Sequence, residues 1–310
     1  MRLRLEYALV RAVSAVVRVL SLKAVRACGT ALGHTVYRLD GFHRRIAVQN
    51  LSQAFPARPD SEIEGLARAM FAHFGCVLLE LLKFEYLSNQ DIMRLSETEG
   101  EERVHQAHAR GKGVLLFTGH FGYWEMNGIT HALRLQPISV LARPLDNPYL
   151  DAMLERIRTK TGNAVIRRQG AMRKVLRALG ANQAVAMLID QHLHTPDAVY
   201  VDFFKRPAAT TSALAALALR TGAVVVPVFA LPTAHGYRFI YEAPVDPPSA
   251  DSPDAIREFT QRCTDVLEMY VRRHPSLWLW MHRRWRDAPV PAETPGMFPH
   301  ARAESGEPSA

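Results

Sequence analysis

Short apolar runs, each too brief for a helix, constrain this chain more than any other feature. Val114–Thr118 lies between Gly113 and Gly119, Ala184–Ile189 runs up to Asp190, and Ala223–Leu231 follows Gly222. Continuous apolar runs of this length read as strands buried on both faces. Ile138–Ala142 and Val199–Phe204 are further strands, and Tyr237–Glu242 alternates as an edge strand does. Helical segments fall between them: one ending at Leu135, then Asn147 to Lys160, Ala171–Leu179, Thr211–Arg220 and Ser252–Arg273. The alternation predicts an α/β fold with a mixed central sheet flanked by helices. Residues 1–110 read as mainly helical instead. The clearest case is Ser61–Lys83, where Ser61 and Glu64 have capping-box spacing. From Asp287 onward Pro, Gly, Ala and Glu dominate and periodicity is lost. The expected organisation is a membrane-associating helical segment over 1–40, a main domain over 41–286, and a disordered tail over 287–310.

The first helix raises the question of a membrane. Leu5–Leu22 is apolar but contains Arg11 and Arg18. A secretory signal has a charge-free apolar stretch, so that reading is set aside. As a spanning helix, two central arginines would cost roughly 5–7 kcal/mol on insertion scales. Arg4, Arg11 and Arg18 recur every seven residues and share one stripe, while Leu9, Val13, Val16, Val17 and Leu20 form another. The pattern predicts an amphipathic helix in the interface, with its arginines on anionic headgroups. An ordinary helix packed on the domain, and a spanning helix with snorkelling arginines, are the two other readings.

Charge narrows the partners. Lys and Arg number 38 against 30 Asp and Glu, a net charge of +8. Such a field attracts phospholipid surfaces, nucleic acid or acidic proteins. With no basic run of five and no nucleic-acid motif, nucleic acid is not expected. Cys28, Cys76 and Cys263 are far apart and form no CxxC pair, which disfavours a cysteine zinc site or a disulfide framework.

The densest chemistry lies where the first buried strand ends. Thr118 is followed by Gly119, which permits a tight turn, then by His120. Glu125 comes five residues later, in the first or second turn of the next helix. Strand exits leading into helix starts are where α/β sheets build sites. In that geometry Glu125 approaches one imidazole nitrogen, fixes the tautomer and raises the basicity of the other. Backbone N–H groups near Gly122 and Tyr123 are candidates for holding an oxyanion or phosphate. On spacing alone, a His beside a Glu is more often structural than catalytic. His-x4-Glu is not the His-Glu-x-x-His spacing of a zinc helix, and His192 and His194 lack a further ligand set, so no metal is expected.

The heptapeptide Gly119-His120-Phe121-Gly122-Tyr123-Trp124-Glu125 resembles the His-x4-Glu block of the bacterial lipid A biosynthesis acyltransferases of lauroyl/myristoyl type, distant relatives of the glycerolipid acyltransferases. Other stretches resemble the same family in the same order. They are Asn50–Pro56; Ala142-Arg143-Pro144 with Asn147-Pro148; Asp190-Gln191; Phe203-Phe204 through Ala209-Thr210-Thr211 to Pro227; and Trp278-Leu-Trp280-Met-His282-Arg-Arg-Trp285. The resemblance runs from about residue 5 to 286.

It implies an acyltransferase in which His120 is the general base and Glu125 orients it. The reaction moves a fatty acyl chain from an acyl carrier protein thioester to a hydroxyl of a lipid A precursor. It takes place at the cytoplasmic face of the bacterial inner membrane, with no cofactor. No Gly-x-Ser-x-Gly elbow is present, so no covalent acyl-enzyme is expected. Arg143, Asp190 and Gln191 are the candidate substrate-binding residues. Arg143 suits a phosphate. Asp190 ends an apolar strand, where an acid needs a partner or a function. It could bind Arg143, orient the acceptor sugar or brace the site loop. Arg167, Arg168, Arg173 and Lys174 add basic density, for a headgroup, for an acidic carrier, or as a solvated helix face. The Trp278–Trp285 cluster reads either as an interfacial belt or as core. Sister acyltransferases with other lipid acceptors, a non-catalytic membrane-binding homologue and a thioesterase-like hydrolase are the rival readings.

Overall fold

The structure is a computed structural model that describes residues 1–167, 170–195, 198–249 and 252–286. Five helices come first: α1 (Arg2–Val19), α2 (Leu22–Leu39), α3 (Gly41–Ala54), α4 (Asp60–Phe84) and α5 (Asn89–Arg94). Strands and helices then alternate. The strands are β1 (Ser96–Glu99), β2 (Val114–Thr118), β3 (Ile138–Leu141), β4 (Ala164–Ile166), β5 (Ala184–Leu188), β6 (Ala198–Phe203), β7 (Arg206–Thr211), β8 (Val224–Pro232) and β9 (Tyr237–Tyr241). The helices among them are α6 (Glu101–Ala109), α7 (Trp124–Arg134), α8 (Pro148–Thr159), α9 (Ala171–Gly180), α10 (Ala213–Thr221) and α11 (Ala255–Arg273).

Seven strands form one sheet in the order β1-β9-β8-β2-β5-β3-β4. All neighbours pair in parallel except β8 and β9, so the sheet is mixed, as expected. Alternate residues of the central strands feed two layers. Leu115, Phe117, Val185, Met187 and Val225 pack with Val175, Leu214, Phe259 and Leu267 of α9, α10 and α11. Leu116, Val226 and Val228 face the other way, with Val104 of α6 and Tyr241. That alternation is the period-two geometry of a strand covered on both sides.

Three expectations change. Tyr237–Tyr241 is not the edge, because Ser96–Glu99 pairs along it and takes that place. Val199–Phe203 lies outside the main sheet and pairs only with β7, in a separate antiparallel hairpin. Ser61 does not cap α4, which begins at Asp60 after Pro59; the capping box belongs to Ser88 and Asp91 at the start of α5. The expected tail at 287–310 and Arg168 lie outside the described residues.

The helical start is bound to the domain. Gly29 and Gly33 of α2 meet Gly75 and its neighbours on α4 so closely that a Cβ on Gly33 would sit 2.1 Å from the Phe71 carbonyl oxygen. Glu80 of α4, fully buried, accepts from Arg26, Tyr123 and Tyr237. Arg26 also donates to the Thr233 and Gly236 carbonyls, so α2 is tied to the β8–β9 turn. α4 is long and apolar enough to cross a membrane, yet half of its most apolar stretch is buried inside the protein.

The expected apolar face of α1 is divided: Val17, only 2% exposed, and Leu20 pack inward with Tyr7 and Val10, while Leu9, Val13 and Val16 stay outside. Its arginines reach partners on the domain, Arg11 from a partly buried position and Arg4 and Arg18 from exposed ones. Arg4 donates to Tyr149 Oη, Arg11 makes two bonds to Glu85, and Arg18 lies over the Tyr86 ring. Ser14, between them, is buried against Glu85 and Tyr86. Leu5, Leu9, Val13, Val16 and Val19 point outward, Val19 with 80% of its surface exposed. Glu85, Tyr86 and Tyr149 give the arginines partners on the domain, and Val17 adds apolar packing to the same inward face.

Candidate active site

The site sits at the exit of β2. Gly119 turns the chain with its Cα close to Asp190; a Cβ there would lie 2.9 Å from Asp190 Oδ2. Gly122 takes a positive φ of 57°, and a Cβ on it would strike the Ala230 carbonyl oxygen at 1.9 Å. Between these glycines the loop is stitched to the C-terminal tryptophan block. Leu279 N donates to the His120 carbonyl at 3.0 Å, and Gly122 N to that of Leu277 at 2.8 Å. Tyr123 N donates to Ala230 O at 3.1 Å. The Gly122 and Tyr123 N–H groups are therefore structural donors, which removes them as the anticipated oxyanion holders.

The carboxylate on the imidazole is Asp190, where Glu125 was expected. His120 Nδ1 and Asp190 Oδ1 are 2.8 Å apart. Asp190 Oδ2 accepts from the His120 backbone N at 2.6 Å and from Trp278 Nε1 at 2.8 Å. A buried carboxylate needs such donors to remain charged. Burial pushes its pKa up, but His120 and the Trp278 indole outweigh it and hold Asp190 down at about 2. For His120, burial pulls the imidazolium pKa down, while the Asp190 charge and hydrogen bond, with the more distant charge of Glu125, raise it above the ordinary 6.5. The arrangement fixes the Nδ1–H tautomer and leaves the Nε2 lone pair as the base.

Glu125 does lie in the first turn of α7. Its carboxylate is taken by Arg158 of α8, through Nε at 2.8 Å and a second bond from Nη2. Both side chains are mostly buried, and both line the same cavity as His120. Gln191 lies beside the base, with its Nε2 3.3 Å from His120 Nε2. Arg143 is on the cavity rim, far more exposed, 3.6 Å from Asp146. Asp190 is engaged by His120 and Trp278, and Arg143 pairs instead with Asp146.

Sequence reasoning missed Arg158, and it missed Trp278 as the third donor to Asp190, beside the His120 ring and backbone. No local signal marks Arg158, because only the packing of α8 on α7 brings it to Glu125. The aromatic block is core: Trp278 and Trp280 are fully buried. His282 is structural, with Nε2 accepting from His192 N at 2.9 Å. Burial lowers its pKa to about 4. Arg167 pairs with Asp151 and Glu155, and Arg173 and Lys174 are surface residues. The early Asn50 segment closes the same region from behind, donating to the Trp280 and His282 carbonyls at 2.8 Å.

In front of His120 opens a cavity of about 770 Å³. Phe74, Leu78, Leu116, Trp124, Val140 and Val228 are among its walls. A base with a fixed tautomer at the head of a largely apolar cavity suits proton removal from a polar group joined to, or meeting, a long hydrocarbon.

Comparison with known proteins supplies the family. Residues 2–287 match the family described as bacterial lipid A biosynthesis acyltransferase. The chain is 26% identical to the lipid A biosynthesis lauroyltransferase of Escherichia coli, over 84% of this chain and 85% of that one. It is 23% identical to the lipid A biosynthesis myristoyltransferase of the same organism, over 81% and 77%. It is 24% identical to the phosphatidylinositol mannoside acyltransferase of Mycobacterium tuberculosis, over 76% and 75%. A solved structure, the 1-acyl-sn-glycerophosphate acyltransferase of Thermotoga maritima, covers 82% of this chain and 97% of its own, at 16% identity and a TM-score of 0.38. With a match across nearly its whole described length, the chain belongs to the bacterial lipid A biosynthesis acyltransferase family and is an O-acyltransferase.

Proposed function

We propose that this enzyme transfers a fatty acyl chain from an acyl carrier protein thioester to a hydroxyl of a lipid A precursor or a closely similar anionic glycolipid. The observation that carries the reading is His120, held by Asp190 at the mouth of an apolar cavity large enough for an acyl chain. His120 Nε2 takes the acceptor hydroxyl proton as the oxygen attacks the thioester carbonyl. On collapse the carbon–sulfur bond breaks, and the imidazolium returns the proton to the departing thiolate. Gln191 caps Nε2 at rest and gives way to the acceptor hydroxyl. Glu125 adds negative field beside His120 and anchors Arg158 against the cavity. Arg143, on the rim, meets an acceptor phosphate.

The net charge of +8 favours both an acidic carrier and an anionic lipid. The outward apolar row of α1 supports docking on the cytoplasmic face of the inner membrane. Leu78 and Leu145 are exposed and line the same cavity, and Tyr149 packs on Tyr7 of α1. The mycobacterial relative favours a second reading, in which another anionic glycolipid replaces the lipid A precursor as acceptor.

Labelled acyl carrier protein thioesters are incubated with candidate lipids, and products are resolved by mass. Acylated lipid is expected from the native enzyme and not from His120→Ala. Equal product from both sinks the proposal, and free fatty acid without acylated lipid makes the protein a hydrolase.

A further inference from the structure

A second cavity, of about 240 Å³, opens beside the active site. Its wall holds Arg283 and Arg286 with His43, His192, His194 and His282, and none of the described residues in that wall is acidic. Two of its chain segments start at the base. Gln191, 3.3 Å from His120 Nε2, is followed directly by His192. Leu279, whose N–H donates to the His120 carbonyl at 3.0 Å, lies four residues before Arg283. His192 N donates to His282 Nε2 at 2.9 Å and joins the two segments. A group bound in this cavity is thus held next to the reacting centre.

Two adjacent arginines of the C-terminal block are used differently. Arg284 is 1% exposed and donates to the Ala209 carbonyl and to Thr210 Oγ1, so it belongs to the core. Arg283 is exposed, and its side chain makes no hydrogen bond or ion pair among the described residues. Its guanidinium lies 5.3 Å from the centre of the Phe42 ring, which also lines the cavity. A guanidinium held over a ring keeps its in-plane N–H donors for a ligand. His282 adds a neutral donor. Burial lowers its pKa to about 4, so the ring carries one proton. Because Nε2 accepts from His192 N, that proton is on Nδ1. The histidines form no metal site among the described residues, and His43 Nδ1 is engaged by Asp40 at 2.6 Å. Arginine donors, a neutral N–H donor and a wall without acids suit an oxyanion. Phosphate fits best, because a guanidinium meets it with two parallel N–H donors.

We propose that this second cavity is an anion site that holds a phosphate ester of a substrate, with Arg283 as its principal ligand and the His282 Nδ1–H beside it. The inference rests on acyl transfer at His120 and adds an anion contact separate from Arg143 on the rim of the acyl cavity. Two substrates carry such an ester: an anionic glycolipid acceptor, and the phosphopantetheine arm of the acyl donor. The pocket chemistry is the same for both.

The test uses the full chain with phosphorylated and dephosphorylated acceptor lipid, and with acyl-phosphopantetheine and acyl-pantetheine as donors. Arg283→Gln should raise KM about tenfold for the substrate whose phosphate is held, with kcat changed less than about twofold. Arg173→Gln removes the same charge from the surface of α9 and is the control. An effect that vanishes with dephosphorylated lipid assigns the pocket to the acceptor. One that vanishes with acyl-pantetheine assigns it to the donor. An unchanged KM in Arg283→Gln, an effect that persists without either phosphate, or an equal effect in Arg173→Gln overturns the anion site and leaves acyl transfer standing. If no thioester yields acylated lipid, calorimetry with inorganic phosphate decides. Binding to the native protein that weakens about fivefold or more in Arg283→Gln keeps the anion site while transfer fails. Equal or absent binding overturns both.

Discussion

The wall behind His120 and the chamber in front of it are built on opposite rules. Behind, the carboxylate and the loop are held by several donors. Asp190 receives the His120 ring, the His120 backbone and the Trp278 indole, and the loop N–H groups are tied to Leu277 and Ala230. In front, Thr118, Asn127 and His131 leave buried polar atoms unpaired. A saturated network holds a single geometry, because moving any member strands another. Buried polar atoms left unpaired carry a desolvation cost that a saturated network avoids. The first arrangement suits a base that must keep its tautomer.

Substitutions measure the contrast. Asp190→Asn has the largest expected effect, a loss in kcat on the order of 10³–10⁴, as when a buried acid behind a general-base histidine is neutralised. Its pH profile sharpens the reading. A general base must be neutral, so native kcat/KM rises with pH through the His120 pKa, which lies above 6.5. Without the Asp190 charge and hydrogen bond, burial weighs more heavily, and that limb should move to lower pH. A limb that stays in place in Asp190→Asn removes Asp190 from the role of orienter. The same carboxylate stabilises the fold above its unfolded pKa of 3.8, and that contribution is lost only as pH falls through about 2.

Glu125→Gln comes next, and it separates two functions for one carboxylate. Removing one partner of a mostly buried ion pair should lower the unfolding free energy by about 3–5 kcal/mol, read in urea melts. If Glu125 serves mainly to hold Arg158, pairing Glu125→Gln with Arg158→Met should recover most of that loss. No recovery in the double variant would mean Glu125 has a role beyond its partner. Trp278→Phe deletes one donor to Asp190 and leaves two; about 1–3 kcal/mol of stability should be lost, with a smaller fall in kcat than for Asp190→Asn.

Asn127→Leu has the smallest and opposite effect. Replacing an unpaired buried amide by an apolar group of similar size should raise the unfolding free energy of the unliganded protein by about 1 kcal/mol. A loss as large as that of Trp278→Phe would show that the chamber is as tightly bonded as the wall, and the contrast between them would collapse.

Much was legible without coordinates. The apolar runs at 114–118, 184–189 and 223–231 became central strands, since a continuous apolar stretch of that length is stable only when covered on both sides. Gly119-His120 at a strand exit announced the site, because the spacing and the glycine are local properties. The ordered matches from Asn50 to Trp285 identified the family. They make structural sense, as Asn50 holds the Trp280 segment and Arg284 reaches Ala209 and Thr210.

Other decisions belonged to tertiary packing. Sequence spacing paired His120 with Glu125, five residues away. Strand β5, lying parallel beside β2, instead delivers Asp190 to the imidazole across 70 residues of chain, and helix α8 draws Glu125 to Arg158. The heptad of Arg4, Arg11 and Arg18 established that α1 is two-sided, but Glu85, Tyr86 and Tyr149 decided which side is inward. Periodicity reports that two faces differ in polarity. Which face is buried depends on the charges and rings waiting on the neighbouring element, and those partners lie far along the chain.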